Sequence, residues 1–375
     1  MNYLSQSVTI QKKQQYNMED KNTQRFDFQI IENKTKVIPV LKESKMMGKK
    51  WISYGEKNDY PDYLFGLYQN STVLQSIING IIDYTIGNGV TGRYLTEQVN
   101  VDGETWDDIL KNIYLDFMVT GGWAINIMRN AENGISEIYW VDVRNVRISE
   151  DGKTAYYSEN PNGWGAKYEE IPIFDPSKKQ KSSLFYYKGA SRGTYPIPRW
   201  SGAIKAVETS CEISNYHLNS ILNNFNPSAL ISFNNGVPDK DTQKAIEKKI
   251  NDKFSGSNNV NRFILSFSES GENATTLQTL GTDNTDSKFQ TLKDSIFEEI
   301  FIAFRCTPEL FGMKKDGNGF NKQEYLESFQ LFYKTVIEPL QKTVNKLFGK
   351  IFGDTNPLVF NRMEIWDDKI ITTEQ

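Results

Sequence analysis

Two long amphipathic stretches, 202–225 and 285–304, bracket a block of short strands and one polar helix. Helices cannot lie side by side on both flanks of so small an excursion unless the chain goes out along one and returns along the other. The spacing therefore predicts a pair of rods with a small tip. The first stretch carries Ile204, Val207, Cys211, Ser214, Leu218, Ile221 and Phe225 in alternating three- and four-residue steps, a near-heptad seam. At about 1.5 Å per residue it spans roughly 33 Å. Asn226-Pro227 ends it, because a residue before proline resists the α region. In the second stretch Phe289, Leu292, Ile296, Ile300 and Ala303 form one face and Lys293, Asp294, Glu298 and Glu299 another.

Between the rods, residues 226–283 read as a βαββ block. The strands are 229–233, 262–267 and 275–280, and the helix runs from Asp239 to Phe254. That helix is mostly lysine and acid outside Ala245, Ile246, Ile250 and Phe254. A piece with so little core gains stability by sharing a sheet with neighbours. After the second rod come Arg305-Cys306-Thr307-Pro308-Glu309-Leu310-Phe311-Gly312 and a polar glycine loop, Lys314-Lys315-Asp316-Gly317-Asn318-Gly319. A last helix, 322–349, carries Tyr325, Phe329, Phe332, Val336, Leu340, Val344 and Leu347 on its apolar side and Pro339 inside. An internal proline costs roughly 3 kcal/mol, so a kink held there needs packing on both flanks.

The first half reads differently. Pro61 suits a helix start, and Thr72 with Gln75 has the pattern of a capping box. An isoleucine-rich helical stripe from Val73 to Ile86 follows, closed by Gly87-Asn88-Gly89. A second helix runs from Thr105 to Thr120. From Trp123 onward the period becomes two, with a hairpin turn at Asn133-Gly134 and another turn at Asp151-Gly152. The expectation is an α+β domain over 28–201, preceded by an arm at 1–27.

The 375 residues suffice for two or three folded units. A net charge of −4 argues against a basic nucleic-acid coat but permits DNA to pass without sticking. Two distant cysteines, Cys211 and Cys306, form neither a disulfide framework nor a metal pattern. No run of about 18 apolar residues predicts a membrane span. The single histidine, His217, rules out two-histidine metal sites and reads as a packed or interface residue. Gly87 to Gly92 matches a dinucleotide fingerprint, yet a helix precedes it where a strand is required. Asp316, Asn318 and Glu327 depart from a calcium loop at the glycine position. Asp102, Glu104, Asp107 and Asp108 are the carboxylates a metal-dependent nuclease would use; their bland role is to favour the helix N-terminus beside them. No cofactor and no catalytic residue is expected.

Taken in order, these segments resemble the portal proteins of tailed phages, of the HK97-like and SPP1-like class. The resemblance rests on Arg305 to Gly312, on Gly319-Phe320-Asn321-Lys322-Gln323-Glu324 with Phe329, Phe332 and Tyr333, on Thr335 to Leu340 with its proline, and on the strands from Gly122 to Ile148. It covers about 55–350, although Thr307 stands where the family commonly has valine. It implies a wing at 28–201, stem helices at 202–225 and 284–306, a clip at 226–283, a tunnel-loop region at 307–321, a kinked helix at 322–349, and a C-terminal tail at 350–375 with the crown reduced or absent.

By the same resemblance the chain is a non-enzymatic ring of about twelve copies at a capsid vertex of the virion. Double-stranded DNA passes through it without sequence specificity. The terminase large subunit, head-completion adaptors, and capsid and scaffolding proteins are the partners, with no membrane. Lys314, Lys315, Asp316 and Asn318 would meet the DNA. Lys293, Glu298 and Glu299 would line the stem, and Lys244, Lys248, Lys249 and Arg262 would face a neighbour or the terminase. The alternatives are an oligomeric phage adaptor without a channel and the nuclease already described.

Overall fold

Ser71 opens the central helix of the fold. Its Oγ accepts the Leu74 N–H at 3.3 Å, so Ser71 is the cap and the expected box from Thr72 to Gln75 does not form. Ser71 is the residue left in extended backbone, whereas Thr72 is already helical. A computed structural model of the chain describes residues 39–45, 48–95, 98–222, 229–233, 238–254, 263–267, 285–313 and 322–363. All of them lie in one unit, Pro39–Gln375.

The elements follow one another as α1 (Tyr60–Asn70), α2 (Thr72–Ile86), β1 (Val90–Thr91) and α3 (Trp106–Thr120). Six strands come next: β2 (Gly122–Arg129), β3 (Ile135–Val141), β4 (Val146–Ile148), β5 (Thr154–Tyr157), β6 (Glu169–Pro172) and β7 (Ser182–Lys188). A true capping box starts α3: Thr105 accepts from the Asp108 N–H, and Asp108 accepts from the Thr105 N–H. The strands form two antiparallel sheets, ordered β3-β2-β7 and β4-β5-β6. The predicted hairpin turn joins β2 to β3. Asn133 takes a left-handed φ of 68°, and Asn130 Oδ1 accepts the Glu132 and Gly134 N–H groups.

The second half contains α4 (Ile204–Leu222), β8 (Ala229–Phe233), α5 (Lys240–Phe254), β9 (Phe263–Phe267) and α6 (Thr285–Phe304). Strands β8 and β9 pair in parallel over their full length, as a crossover through α5 requires. The third expected strand, 275–280, lies outside the described residues. The last helix is α7 (Lys322–Phe332), a π-helical turn over Tyr333–Ile337, and α8 (Glu338–Phe352). Pro339 explains the π turn. Its missing N–H and its ring forbid the ordinary bond to the Thr335 carbonyl, and one turn of wider winding removes that contact. Helix α8 continues past the expected end at 349, and β10 (Val359–Phe360) then pairs antiparallel with β1. Part of the stretch expected as a tail is thus built into the fold.

One apolar core joins these parts. It runs from Leu64, Ile77 and Ile81 through Ile113, Trp123 and Ile125 to Val207, Ile300, Phe332, Leu340 and Phe348, all buried. Among the described residues, the heptad seam of α4 is buried at Val207 and Cys211 and not beyond. Val207 and Cys211 lie in this core, whereas Ser214 is exposed and Leu218 is 56% exposed. Helix α4 packs on α1 and α6.

Candidate functional site: the outer faces of the paired helices

Helix α6 buries Ile296, Ile300, Phe301 and Phe304 and turns the opposite side to solvent. A helical period of about 3.6 puts Leu292, Ser295, Glu298, Glu299 and Ile302 on that opposite side. Leu292 is 43% and Ile302 73% exposed. Lys293, Asp294, Glu298 and Glu299 are exposed as well, so this surface mixes apolar side chains with a net acidic charge. All three candidate stem residues therefore reach solvent. Leu292, expected on the apolar face, is 43% exposed and does not join the core.

Where α4 leaves the core, an aromatic contact replaces the seam. Tyr216, half-exposed, stacks on Phe289 of α6 with centroids 5.0 Å apart. His217 meets the same ring edge-on at 5.9 Å and is exposed.

The end of α6 is built with care for the loop that follows. Arg305 adopts a left-handed φ of 55°, a conformation that costs most side chains energy. It lets the Cys306 N–H return to the Phe301 carbonyl at 3.3 Å. Burial of Cys306 pushes its thiol up to about 12, so this cysteine stays protonated and unreactive. The Pro308–Phe311 turn then inserts Phe311 beside Tyr84, Phe301 and Phe332. Gly80 makes that insertion possible, since a Cβ there would lie 2.5 Å from Phe311 Cε1. Tyr84 donates to the Leu310 carbonyl at 2.6 Å, and its hydroxyl lies 3.1 Å from that of Tyr325 on α7. Both flanks of the segment 314–321 are thus fastened to α2. Lys314, Lys315, Asp316 and Asn318 themselves lie outside the described residues.

At the other end of the rods, Asp239 caps α5 by accepting the Thr242 N–H at 2.7 Å, which holds its carboxyl below the usual range. Lys244 and Lys249 are exposed on α5. The Lys248 side chain and Arg262 lie outside the described residues.

Three of the four carboxylates that a nuclease would use, Glu104, Asp107 and Asp108, accept hydrogen bonds from nearby groups of the chain. Asp108 closes the capping box, which pulls its carboxyl down. Asp107 accepts the Val90 N–H at 3.0 Å, and Glu104 accepts from Asn100 at 2.5 Å. Among the described residues no cluster of three metal-ligating side chains occurs. The glycine pattern at 87–92 serves chain packing: Gly87 takes a φ of 62°, and a Cβ there would strike the Asn361 carbonyl. No described helix is long and apolar enough to cross a membrane.

Two features escaped the sequence reading. Asp116 sits three residues beyond Ile113 on the apolar stripe of α3 and is fully buried, accepting from Trp140 Nε1 at 2.9 Å. Its place in an apolar stripe was the available signal. Arg362 lies over Phe329 and Tyr333, with no sequence signal at all.

Comparison with known proteins agrees with this architecture. The family model described as phage portal protein matches residues 93–365. Among solved structures, the neck of an empty GTA particle superposes with a TM-score of 0.54 at 15% identity, covering 88% of this chain and 87% of that one. The virion of a native gene transfer agent particle gives a TM-score of 0.54 at 16% identity, covering 80% of this chain and 84% of that one. A curated relative is the uncharacterized protein YqbA of Bacillus subtilis (strain 168), 21% identical over 369 residues, covering 79% of this chain and 70% of that one.

Proposed function

The chain belongs to the phage portal protein family, and from that premise we propose that it forms a closed ring of about a dozen copies at a capsid vertex, through which double-stranded DNA enters and leaves. The family is a structural one, and the neighbours among solved structures share its mixed helix-and-sheet fold.

One observation carries the reading. The paired helices α4 and α6 leave Tyr216, Leu218, Leu292 and Ile302 between 43% and 73% exposed, next to an acidic row. Apolar side chains in that number on two adjacent rods are what a head-to-tail contact with another copy would bury. The acidic row, Glu298 and Glu299 with Asp294, suits a wall past which DNA must slide. Each phosphate neutralised by a lysine adds counterion-release affinity, and about six to ten such contacts change affinity by orders of magnitude.

In this reading Lys314, Lys315, Asp316 and Asn318 form a loop that touches the passing DNA weakly. The exposed α5 face with Lys244 and Lys249, together with Lys248 and Arg262, meets the terminase large subunit or a neighbouring clip. Head-completion adaptors, capsid protein and scaffold contact the same ring, and the protein resides in the virion.

Negative-stain imaging of the purified full chain is the direct test. Annular particles with a central hole are expected; a species that stays monomeric at high concentration and in infected-cell lysates would overturn the ring. For the loop, Lys314→Ala with Lys315→Ala should leave rings intact and lower the amount of DNA packaged per particle. Unchanged packaging would remove those lysines from the mechanism.

A further inference from the structure

The chain passes back over its own hinge. After α8, residues 356–362 run alongside the end of α2 and β1. Leu358 is 1% exposed, and its N–H and carbonyl both bond to the Asn345 side chain of α8, each at 3.0 Å. Val359 and Phe360 pair with Thr91 and Val90. The Asn361 carbonyl accepts the Asn88 N–H at 2.8 Å, and the Asn361 N–H donates to the Gly89 carbonyl at 3.0 Å. The segment is therefore tied at several points to α8, to β1 and to the end of α2.

The end of this segment reaches the π turn. The Arg362 guanidinium lies 4.6 Å from the Tyr333 ring centroid and 5.1 Å from that of Phe329. Phe329 belongs to α7, and Tyr333 is the first residue of the π turn. The Tyr333 hydroxyl lies 3.4 Å from Gln341 Oε1 on α8, and Gln341 Nε2 donates to the Thr85 carbonyl at the end of α2 at 2.8 Å. One cation thus bridges α7 and the π turn to a strap anchored on α2, β1 and α8. Widened helical turns are places where winding can change at small cost.

We propose that residues 356–362 form a strap that sets the angle between α7 and α8, with Arg362 as its clasp on the π turn. The clasp is weak by construction, because Arg362 is exposed and a solvated cation over a ring contributes modestly. A weak clasp on a well-anchored strap allows α7 to be released without unfolding α8. This inference does not depend on ring assembly.

Hydrogen exchange on the full-length chain tests it. In Arg362→Ala, amides of 325–337 should exchange about threefold faster or more, while those of 344–352 and of α3 stay at the parent rate. Arg362→Lys, which keeps a cation over the rings, should recover part of the protection. Phe329→Leu should loosen the same segment, and adding Arg362→Ala to it should change the rate less than Arg362→Ala does alone. Unchanged exchange in 325–337, a uniform rise throughout the chain, additive effects in the double variant, or failure of Arg362→Ala to fold would each overturn the proposal. A uniform rise or failure to fold would mean that Arg362 supports the fold at large rather than the hinge, and additive effects would mean that Arg362 and Phe329 act independently.

Discussion

The indole of Trp123 lies against the ring of Phe348, centroids 5.9 Å apart and planes 14° from parallel. Trp123 opens the central strand β2, and Phe348 sits near the end of α8, more than two hundred residues on. Both are fully buried. The sheet of the first half and the last helix therefore share one core.

Removing either ring should be felt throughout the unit. Trp123→Ala and Phe348→Ala are each expected to cost about 3–5 kcal/mol, the usual range for deleting a buried aromatic. Denaturant unfolding followed by tryptophan fluorescence and by circular dichroism should show one shared transition moving to lower denaturant. Two separate transitions in the parent protein would show that α8 is not part of the same cooperative unit.

Asp116 should make stability depend on pH in the direction opposite to an ion-paired carboxylate. Burial raises its carboxyl well above the ordinary range and nearby Asp142 adds to the rise, while Trp140, the Val143 N–H and Arg144 oppose it. The folded state keeps this proton over a range where the unfolded chain, with a carboxyl near about 3.9, has lost it. The contribution is complete below that value and declines as pH rises toward the folded one. Asp116→Asn carries no such proton. Its stability relative to the parent should increase as pH is raised from about 4, read from denaturation midpoints. A constant difference across pH would show that Asp116 is ionised in the folded state.

Gly87 stands where the returning chain crosses the end of α2. Its φ of 62° and the nearness of the Asn361 carbonyl leave no room for a methyl group. Gly87→Ala should cost about 1–3 kcal/mol through backbone strain and displacement of β10. Limited proteolysis should cut earlier after α8 in this variant, with the sheets still intact. Parent-like resistance would mean that the strap tolerates the shift.

Reversing charge on the outer face of α6 tests the sliding-wall reading. Glu298→Lys with Glu299→Lys should preserve the fold, because both side chains are exposed. Rings of this variant should retain DNA at low salt, release it as salt is raised, and package more slowly than the parent. Packaging at the parent rate would place this face away from the DNA path.

The element pattern was largely legible in the order of residues. The isoleucine stripe of α2, the helix from Thr105 to Thr120, the period-two strands from Trp123 and the turn at Asn133 all form where local chemistry points, whereas the capping box expected at Thr72 does not. Exposure of Lys293, Glu298, Glu299, Lys244 and Lys249 also followed from helical spacing. The strap did not. A two-residue strand such as Val359–Phe360 has no periodicity to read, and its partner lies far away in sequence. Nor did the half-burial of the α4 seam, since spacing describes a stripe but not how far a neighbour covers it.

Local physics, carried by successive residues, determined which segments of this chain wind, extend or turn, because capping, periodicity and proline act within a few positions. It also determined that the last helix must deform near Pro339. Tertiary structure alone decided the pairing of Asp116 with Trp140 and the approach of Arg362 to Tyr333. Each depends on atoms brought together from distant parts of the chain, and no pattern along the sequence records who the neighbour is.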